Sequence, residues 1–412
     1  MSKENIVTAI DIGSSKISTL IANVVDDRVS VIGVSTVPSK GIKKGTVVDI
    51  DEAVEAISDS LESAERMAGY SINSAFITIG GNHIESVSSH GVVAVSNQGA
   101  EITPVDVERV TEAAQALSIP SSKEIIHVVP RDFIVDKQDG IKDPVGMSGI
   151  RLEVVTEILT ASTTALKNLI KCVQQVGVDV EAPVFTGIAS ASSVLSSTEK
   201  ELGTVLVDIG GGTTSITIYH DTSPVYAAVL PIGGQHITND LAIGLRSSID
   251  IAEQVKLKVS GVVGEEITDV DIDFAEFGLD AKDVSVKLVN QIISERLKEI
   301  FTLVATEVNK SNYVGKVPSG IVLTGGASNT FNAVRMAKLQ LRVPVRIGTP
   351  VGVTGLIDEI QGPAYASVVG ALLYGTSYSV EKGGGINLKM MDAGKAKNIL
   401  KKAIGFVKGL MP

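Results

Sequence analysis

The chain opens on an apolar, β-prone stretch at residues 6–10, which Asp11-Ile-Gly13 breaks, and two stretches of the same character follow at 17–24 and 29–37. Short apolar runs bounded by turn residues predict strands. At residues 51–69 the period changes. Val54, Ile57, Leu61, Ala64 and Ala68 fall on one stripe, Asp51 stands near the start and Gly69 at the end, which predicts an amphipathic helix. Residues 74–79 return to a strand pattern. A glycine-punctuated, mostly β-patterned stretch then runs from about 80 to 160, with one helix near 104–117. A second amphipathic helix is predicted at 163–176, with Leu166, Leu169, Ile170, Val173 and Val176 on one side and Gly177 closing it.

The pattern then restarts. Thr204-Val-Leu-Val-Asp208-Ile-Gly210-Gly-Gly-Thr-Thr214 echoes Ile6-Val-Thr-Ala-Ile-Asp11-Ile-Gly13-Ser-Ser-Lys16. Both read as strand, Asp-Ile-Gly, small polar turn, strand. Two related halves of one fold are the economical explanation. The second half continues with helices near 234–245, 248–259 and 284–309, a strand at 320–324, Gly325-Gly326-Ala-Ser328, a helix from about Asn329 and a last helix near 363–374. Alternating strands and helices predict an α/β architecture in both halves.

Composition narrows the function. With 412 residues, 44% hydrophobic and 20% charged, the chain has globular composition and room for two lobes. Trp is absent, and Phe and Tyr number only 8 and 7. The net charge is −11. Few aromatic faces and an acidic body disfavour nucleic acid as a partner. Cys172 is the sole cysteine, so no internal disulfide and no cysteine cluster for zinc is expected, and a reducing compartment fits best. It borders an apolar stripe and reads as packing. The histidines at 83, 90, 127, 220 and 236 show no metal-ligand spacing. The N-terminus does not read as a signal peptide, and no apolar run approaches the roughly 20 residues needed to cross a bilayer.

The chemistry lies in the repeated turns. A tight hairpin turn of Gly with Ser or Thr aims several backbone N–H groups at one point, making a nest for an anion. Two such turns facing each other could clamp a polyphosphate. The first offers Gly13, Ser14, Ser15 and Lys16, the second Gly210, Gly211, Gly212, Thr213 and Thr214. Asp11 and Asp208 would stand at matching strand ends, suited to Mg²⁺ held through water. Lys16 would neutralise phosphate charge. Gly325, Gly326, Ala327 and Ser328 form a third turn suited to a nucleoside, and Gly234 adds to the same wall.

These strings, in this order, resemble the two phosphate motifs and the adenosine motif of the actin-like ATPase superfamily. The resemblance implies two RNase-H-like lobes around an ATP cleft. It also implies that Ala252-Glu253-Gln-Val-Lys256 reaches ribose and base; the alternative for Glu253 and Lys256 is an exposed i, i+3 charge pair. Only residues 38–50 separate the third strand from the helix at 51, which leaves no room for the subdomain actin carries there, whereas extra sequence follows residue 79. That arrangement resembles the FtsA family of bacterial division proteins. So do Thr78-Ile-Gly-Gly-Asn-His83, Gly140-Ile-Lys-Asp-Pro-Val-Gly-Met-Ser-Gly-Ile-Arg151 and Val345-Arg-Ile-Gly-Thr-Pro350 with Thr354-Gly-Leu356.

The implied organisation is a first lobe at 1–82 and 161–195 with an inserted subdomain at 83–160 for polymer and partner contacts. The second lobe spans 196–232 and 310–380, with a small subdomain at 233–309. The implied function is an ATP-binding, filament-forming adaptor that tethers FtsZ to the cytoplasmic face of the membrane at the septum and recruits later division proteins. Arg296 and Glu299 match positions near the docking site for the FtsZ C-terminal tail; the alternative is a solvated helix face. Hydrolysis is expected to be weak or absent, since Pro183-Val-Phe-Thr-Gly-Ile-Ala-Ser190, at the junction between lobes, offers no acid and no amide. A pilus-type adaptor and a soluble kinase of the same superfold are the alternatives.

Charge asymmetry adds a last feature. From Lys389 onward six lysines face one acid, leaving the rest of the chain near −16. Residues 381–391 read as a glycine-rich linker. On a helical wheel of 392–412, Ile399, Leu400, Ile404, Phe406, Val407, Leu410 and Met411 share one arc, and Lys395, Lys397, Lys401, Lys402 and Lys408 share the other. That pattern fits a helix lying on anionic lipid, each lysine contributing about 1 kcal/mol. FtsA family members end in such a foot.

Overall fold

The computed structural model describes residues 5–26, 28–96, 101–116, 119–261, 274–279 and 285–383. The chain begins with an antiparallel meander, β1 (Asn5–Ile12), β2 (Lys16–Val25) and β3 (Arg28–Pro38). A small hairpin follows, β4 (Ile42–Lys43) and β5 (Thr46–Val47). Helix α1 (Ile50–Ala68) starts where Asp49 accepts the Glu52 N–H and stops at Gly69, whose φ of 73° closes the last turn. Strand β6 (Ser74–Ile79) then lies parallel to β1.

The chain next leaves the lobe. β7 (Glu85–Ala94), α2 (Pro104–Gln115), β8 (Lys123–Val135), β9 (Gln138–Ile141) and β10 (Arg151–Ser162) form a separate four-stranded sheet, ordered β7-β10-β8-β9, with α2 on one face. Its own core joins Val107 and Val110 of α2 to Phe133, Leu152 and Val154. The chain returns as α3 (Thr163–Gln175) and β11 (Asp179–Phe185), parallel to β6, and α4 (Thr186–Val194) leads towards the second lobe.

The second lobe repeats the plan. After α5 (Ser197–Leu202), β12 (Thr204–Ile209), β13 (Thr214–His220) and β14 (Ser223–Leu230) form the meander. Helices α6 (Gly234–Leu245), α7 (Ile249–Ser260) and α8 (Val286–Lys310) follow, then β15 (Ile321–Thr324), α9 (Ala333–Leu341) and β16 (Val345–Ile347). The sheet order is β14-β13-β12-β15-β16. In the first lobe β3-β2-β1-β6-β11 have the same order and the same senses. Even the register repeats: Asp11 pairs with Ser18, and Asp208 with Ser215. The duplicated motif therefore marks a duplicated fold.

Three expectations change. The helix expected from Asn329 starts four residues later, because Gly326–Asn329 form a 3₁₀ turn and Asn332 takes a left-handed φ of 65° before α9. The last helix, α10 (Ala366–Gly383), runs past the expected end and three residues into the expected linker. The range assigned to the second lobe up to residue 380 also divides. The short strand β17 (Thr354–Gly355) joins β3, and α10 buries Val368, Val369 and Leu372 against Val7, Ala9 and Leu20 of the first sheet. The polypeptide thus crosses back to cover the face of the first sheet opposite α1 and α3. The tail at 392–412, with its lysines and apolar arc, lies outside the described residues, as does the rest of the linker.

Candidate nucleotide site

The two meanders present their first turns to each other. In one, the Gly13 N–H donates to the Lys16 carbonyl at 3.1 Å; in the other, the Gly210 N–H donates to the Thr213 carbonyl at 2.9 Å. The turns almost touch. A Cβ on Gly211 would stand 2.6 Å from the Ser15 Cβ, too close for any other residue without movement. Between them opens a cavity of about 390 Å³. It is lined by Asp11, Gly13, Ser14, Ser15, Lys16, Asp208, Gly210, Gly211, Gly212, Thr213, Gly234, Glu253, Lys256, Gly325, Gly326 and Ala327. The sequence separates these residues by more than 300 positions, and the fold brings them to one wall.

Two expected members are elsewhere. Thr214 is fully buried, and its hydroxyl donates to the Ile232 carbonyl at 2.8 Å. Ser328 is buried too, its hydroxyl donating to the Gly325 carbonyl at 2.7 Å. Both hydroxyls serve the turns' own backbone.

At the centre stand Asp11, Lys16 and Asp208. Burial pushes the Asp208 carboxyl up to about 6, with Asp11 adding repulsion; the Ser190 hydroxyl, donating at 2.5 Å, and Lys16 oppose the rise. Burial lowers the Lys16 ammonium to about 8 against the pull of both aspartates. The ammonium sits 3.4 Å over the Tyr365 ring centroid, a favourable cation–π contact. Asp11 accepts from the Thr78 hydroxyl at 2.5 Å, and that hydroxyl also accepts the Ile12 N–H. Each aspartate is therefore fixed by a hydroxyl from another element, β6 in one lobe and α4 between lobes.

On the second-lobe side, Glu253 and Lys256 of α7 line the wall. Lys256 is only 8% exposed and donates to Glu253 at 2.6 Å and to Thr238 of α6 at 2.9 Å. The exposed-pair alternative does not hold for a buried lysine. In the same lobe, at the end of β15, Gly325 has φ 83°, and a Cβ there would meet Asp208 Oδ1 at 2.3 Å.

Several residues escape a sequence reading. Thr78 and Ser190 orient the aspartates, Tyr365 supports Lys16, and Gln235 lines the cavity while its amide donates to the Ser14 carbonyl at 3.1 Å. None lies within a recognisable spacing of its partner. Cys172 is fully buried, and burial raises its thiol, in keeping with packing.

Comparison with known proteins decides the family. A family profile described as "SHS2 domain inserted in FTSA" matches residues 81–160, and one described as "Cell division protein FtsA" matches 205–370. The chain is 41% identical to the cell division protein FtsA of Pseudomonas aeruginosa over 377 residues, 90% of this chain and 89% of that one. It is 36% identical to the FtsA of Bacillus subtilis, covering 95% and 88%. The chain belongs to the FtsA family. Its actin-like fold is shared more widely. The structure titled as a PilM-PilN type IV pilus biogenesis complex aligns with TM-score 0.64 at 15% identity, covering 90% of this chain and 98% of that one. An MreB5 of Spiroplasma citri bound to AMPPNP aligns with TM-score 0.55 at 12% identity, covering 92% and 99%. As an FtsA, the chain has an actin-like role in cell division.

A second concave surface lies on α6 and α8. A groove of about 730 Å³ is lined by Asp240, Ile243, Leu288, Ile292, Arg296, Glu299 and Leu303 among others. Arg296 grips Asp240 with two hydrogen bonds, at 2.5 and 2.9 Å, and Glu299 with a third at 2.5 Å. Asp240 is the member the sequence does not announce. Ile243 is 78% exposed at the groove. Arg296 is thus set in an apolar groove and braced from two helices. Among the described residues, no helix is long and apolar enough to cross a membrane.

Proposed function

We propose that the chain is an ATP-binding membrane adaptor of the division machinery, which polymerises, holds the FtsZ C-terminal tail, binds anionic inner-membrane lipids and recruits later division proteins at the septum. The observation that carries the nucleotide reading is the meeting of two equivalent glycine turns around Asp11, Lys16 and Asp208. The donor set fits a magnesium nucleotide. N–H nests and an ammonium suit phosphate, and two carboxylates at matching strand ends suit hydrated Mg²⁺. Bound Mg²⁺ would supply charge neutralisation of the polyphosphate. Asp11 and Asp208 would hold it through its water shell, Lys16 and the turn N–H groups would hold the phosphates, and Glu253 and Lys256 would face the ribose. Gly325, Gly326 and Ala327 would back the base.

The protein's task in this reading is to hold nucleotide rather than to turn it over. The segment where β11 meets α4 carries no acid or amide to position a water. Gln235 does line the cavity, yet its amide is engaged with Ser14. Turnover is therefore expected below about 1 s⁻¹.

The α6–α8 groove supports the FtsZ reading through its apolar residues, Ile243, Leu288, Ile292 and Leu303, which suit one face of an amphipathic peptide, with Arg296 held by Asp240 and Glu299 among them. The inserted subdomain is assigned to polymer and partner contacts, and the basic tail to lipid. Vesicle flotation tests the adaptor. With Mg-ATP and anionic vesicles, the full chain should float and carry FtsZ with it, while a chain ending at Met391 should do neither. Equal behaviour of the two chains would refute it.

A further inference from the structure

The hairpin of β4 and β5 packs behind the first glycine turn, outside the residues that line the cavity. Its two-residue turn is Lys44-Gly45, with φ of 49° and 73°, the left-handed pair that a tight hairpin requires. The turn is wedged on three sides. A Cβ on Gly45 would meet the Gly80 carbonyl at 2.5 Å and the Gly81 Cα at 2.9 Å, where β6 hands over to the inserted subdomain. A Cβ on Gly212, in the second lobe's phosphate turn, would meet the Lys44 nitrogen at 3.1 Å and the Ser14 Oγ at 2.8 Å. The hairpin is held on its other side too, since the Val48 and Asp49 N–H groups both donate to the Gly41 carbonyl, at 2.8 and 3.1 Å.

What the hairpin does at the cleft is specific. The Gly45 N–H donates to the Ser14 Oγ at 2.9 Å. A hydroxyl has one proton to give and lone pairs to receive. With one lone pair fixed by Gly45, rotation of the Ser14 hydroxyl is restricted, and among the described residues its proton meets no protein acceptor. Ser14 lines the cavity beside Ser15 and Lys16, and its carbonyl is held from the other lobe by Gln235.

We propose that Gly45 is a positioning residue of the cleft: its N–H holds the Ser14 hydroxyl, which lines the cavity, as a donor aimed at a bound polyphosphate, so that the β4–β5 hairpin acts from behind the first glycine turn. This rests on reading the cleft as a nucleotide site. The same turn abuts Gly80 and Gly81, so the hairpin that holds Ser14 also touches the entry to the inserted subdomain.

The test is made on the full chain, titrated with Mg-ATP and with adenosine. Ser14→Ala should weaken Mg-ATP binding about tenfold, the loss of one charge-assisted hydrogen bond, and leave adenosine affinity unchanged. Unchanged Mg-ATP affinity in Ser14→Ala, or an equal loss for adenosine, would overturn the assignment. Wild-type protein that binds no Mg-ATP would overturn the underlying nucleotide reading instead, and this inference with it. Because every residue but proline keeps the backbone N–H, the Gly45 contact itself is read by NMR of glycine-labelled wild-type protein. The Gly45 amide resonance should shift with Mg-ATP and not with adenosine, and Ser14→Ala should abolish the shift and speed that amide's exchange. A Gly45 resonance indifferent to Mg-ATP refutes the proposal.

Discussion

Asp208→Asn should make the protein more stable and less able to bind Mg-ATP. The carboxyl is buried, and its pKa rises from 3.8 to about 6, first through burial and then through Asp11. A gap of about two pH units corresponds to about 3 kcal/mol of destabilisation when the group is ionised in both states. The folded protein holds the proton more tightly than the unfolded chain. The burden is therefore absent below the unfolded value, grows as pH rises through about 6, and is constant above it. Asparagine removes it and can still accept from Ser190. Lys16 loses one of its two acidic neighbours in exchange, so a net gain of about 1–3 kcal/mol is expected at pH 7.5, and roughly half as much at pH 5. Urea unfolding of both proteins at the two pH values, without nucleotide, measures this. A loss of stability at pH 7.5, or a gain identical at both pH values, would show that the buried Asp208 carboxylate carries no such burden. A carboxylate kept at such a cost is what a cation site needs, so the stabilised variant should also lose magnesium-dependent nucleotide affinity.

Three further outcomes follow from the same geometry. Mg-ATP affinity should fall about tenfold between pH 7 and pH 9, as Lys16 loses its proton near 8, and Lys16→Gln should flatten that part of the profile; a wild-type profile already flat there would remove Lys16 from the phosphate site. Gly370→Ala should lower the melting temperature, because its Cβ would stand 1.7 Å from the Ala189 carbonyl where α10 crosses α4, and overpacking costs about 1–3 kcal/mol. Arg296→Glu should abolish binding of an FtsZ tail peptide, and because the new carboxylate would face Asp240 and Glu299 it should also lower stability, so peptide affinity is read on protein shown to be folded by circular dichroism; unchanged peptide affinity would reject the groove as the docking site.

The sequence makes the fold legible where chemistry and local geometry coincide. Asp11-Ile-Gly13 and Asp208-Ile-Gly210 must turn between strands, so the repeat predicts two matching hairpins, and those hairpins share strand order, sense and register. Helix stripes such as Val54, Ile57 and Leu61 are equally plain, because one face is buried. Residues joined only by the tertiary fold leave no such trace. Ser190 and Thr78 reach their aspartates from other elements, and Asp240 meets Arg296 across 56 positions with no periodic link. Periodicity also identifies the last helix without saying which lobe it covers. The return of the chain to the first sheet depends on β17, two residues too short to carry a pattern, and on apolar faces of α10 that would suit either lobe. The hydroxyls of Thr214 and Ser328 show the converse: residues in the right strings, turned away to satisfy their own backbone.

Calorimetric titration of the full chain with ATP, with and without Mg²⁺, shows whether the paired glycine turns hold a magnesium nucleotide. Saturable one-to-one binding is expected, weaker when Mg²⁺ is removed and lost in Lys16→Glu. No binding heat at millimolar Mg-ATP, or equal binding by Lys16→Glu, would contradict it.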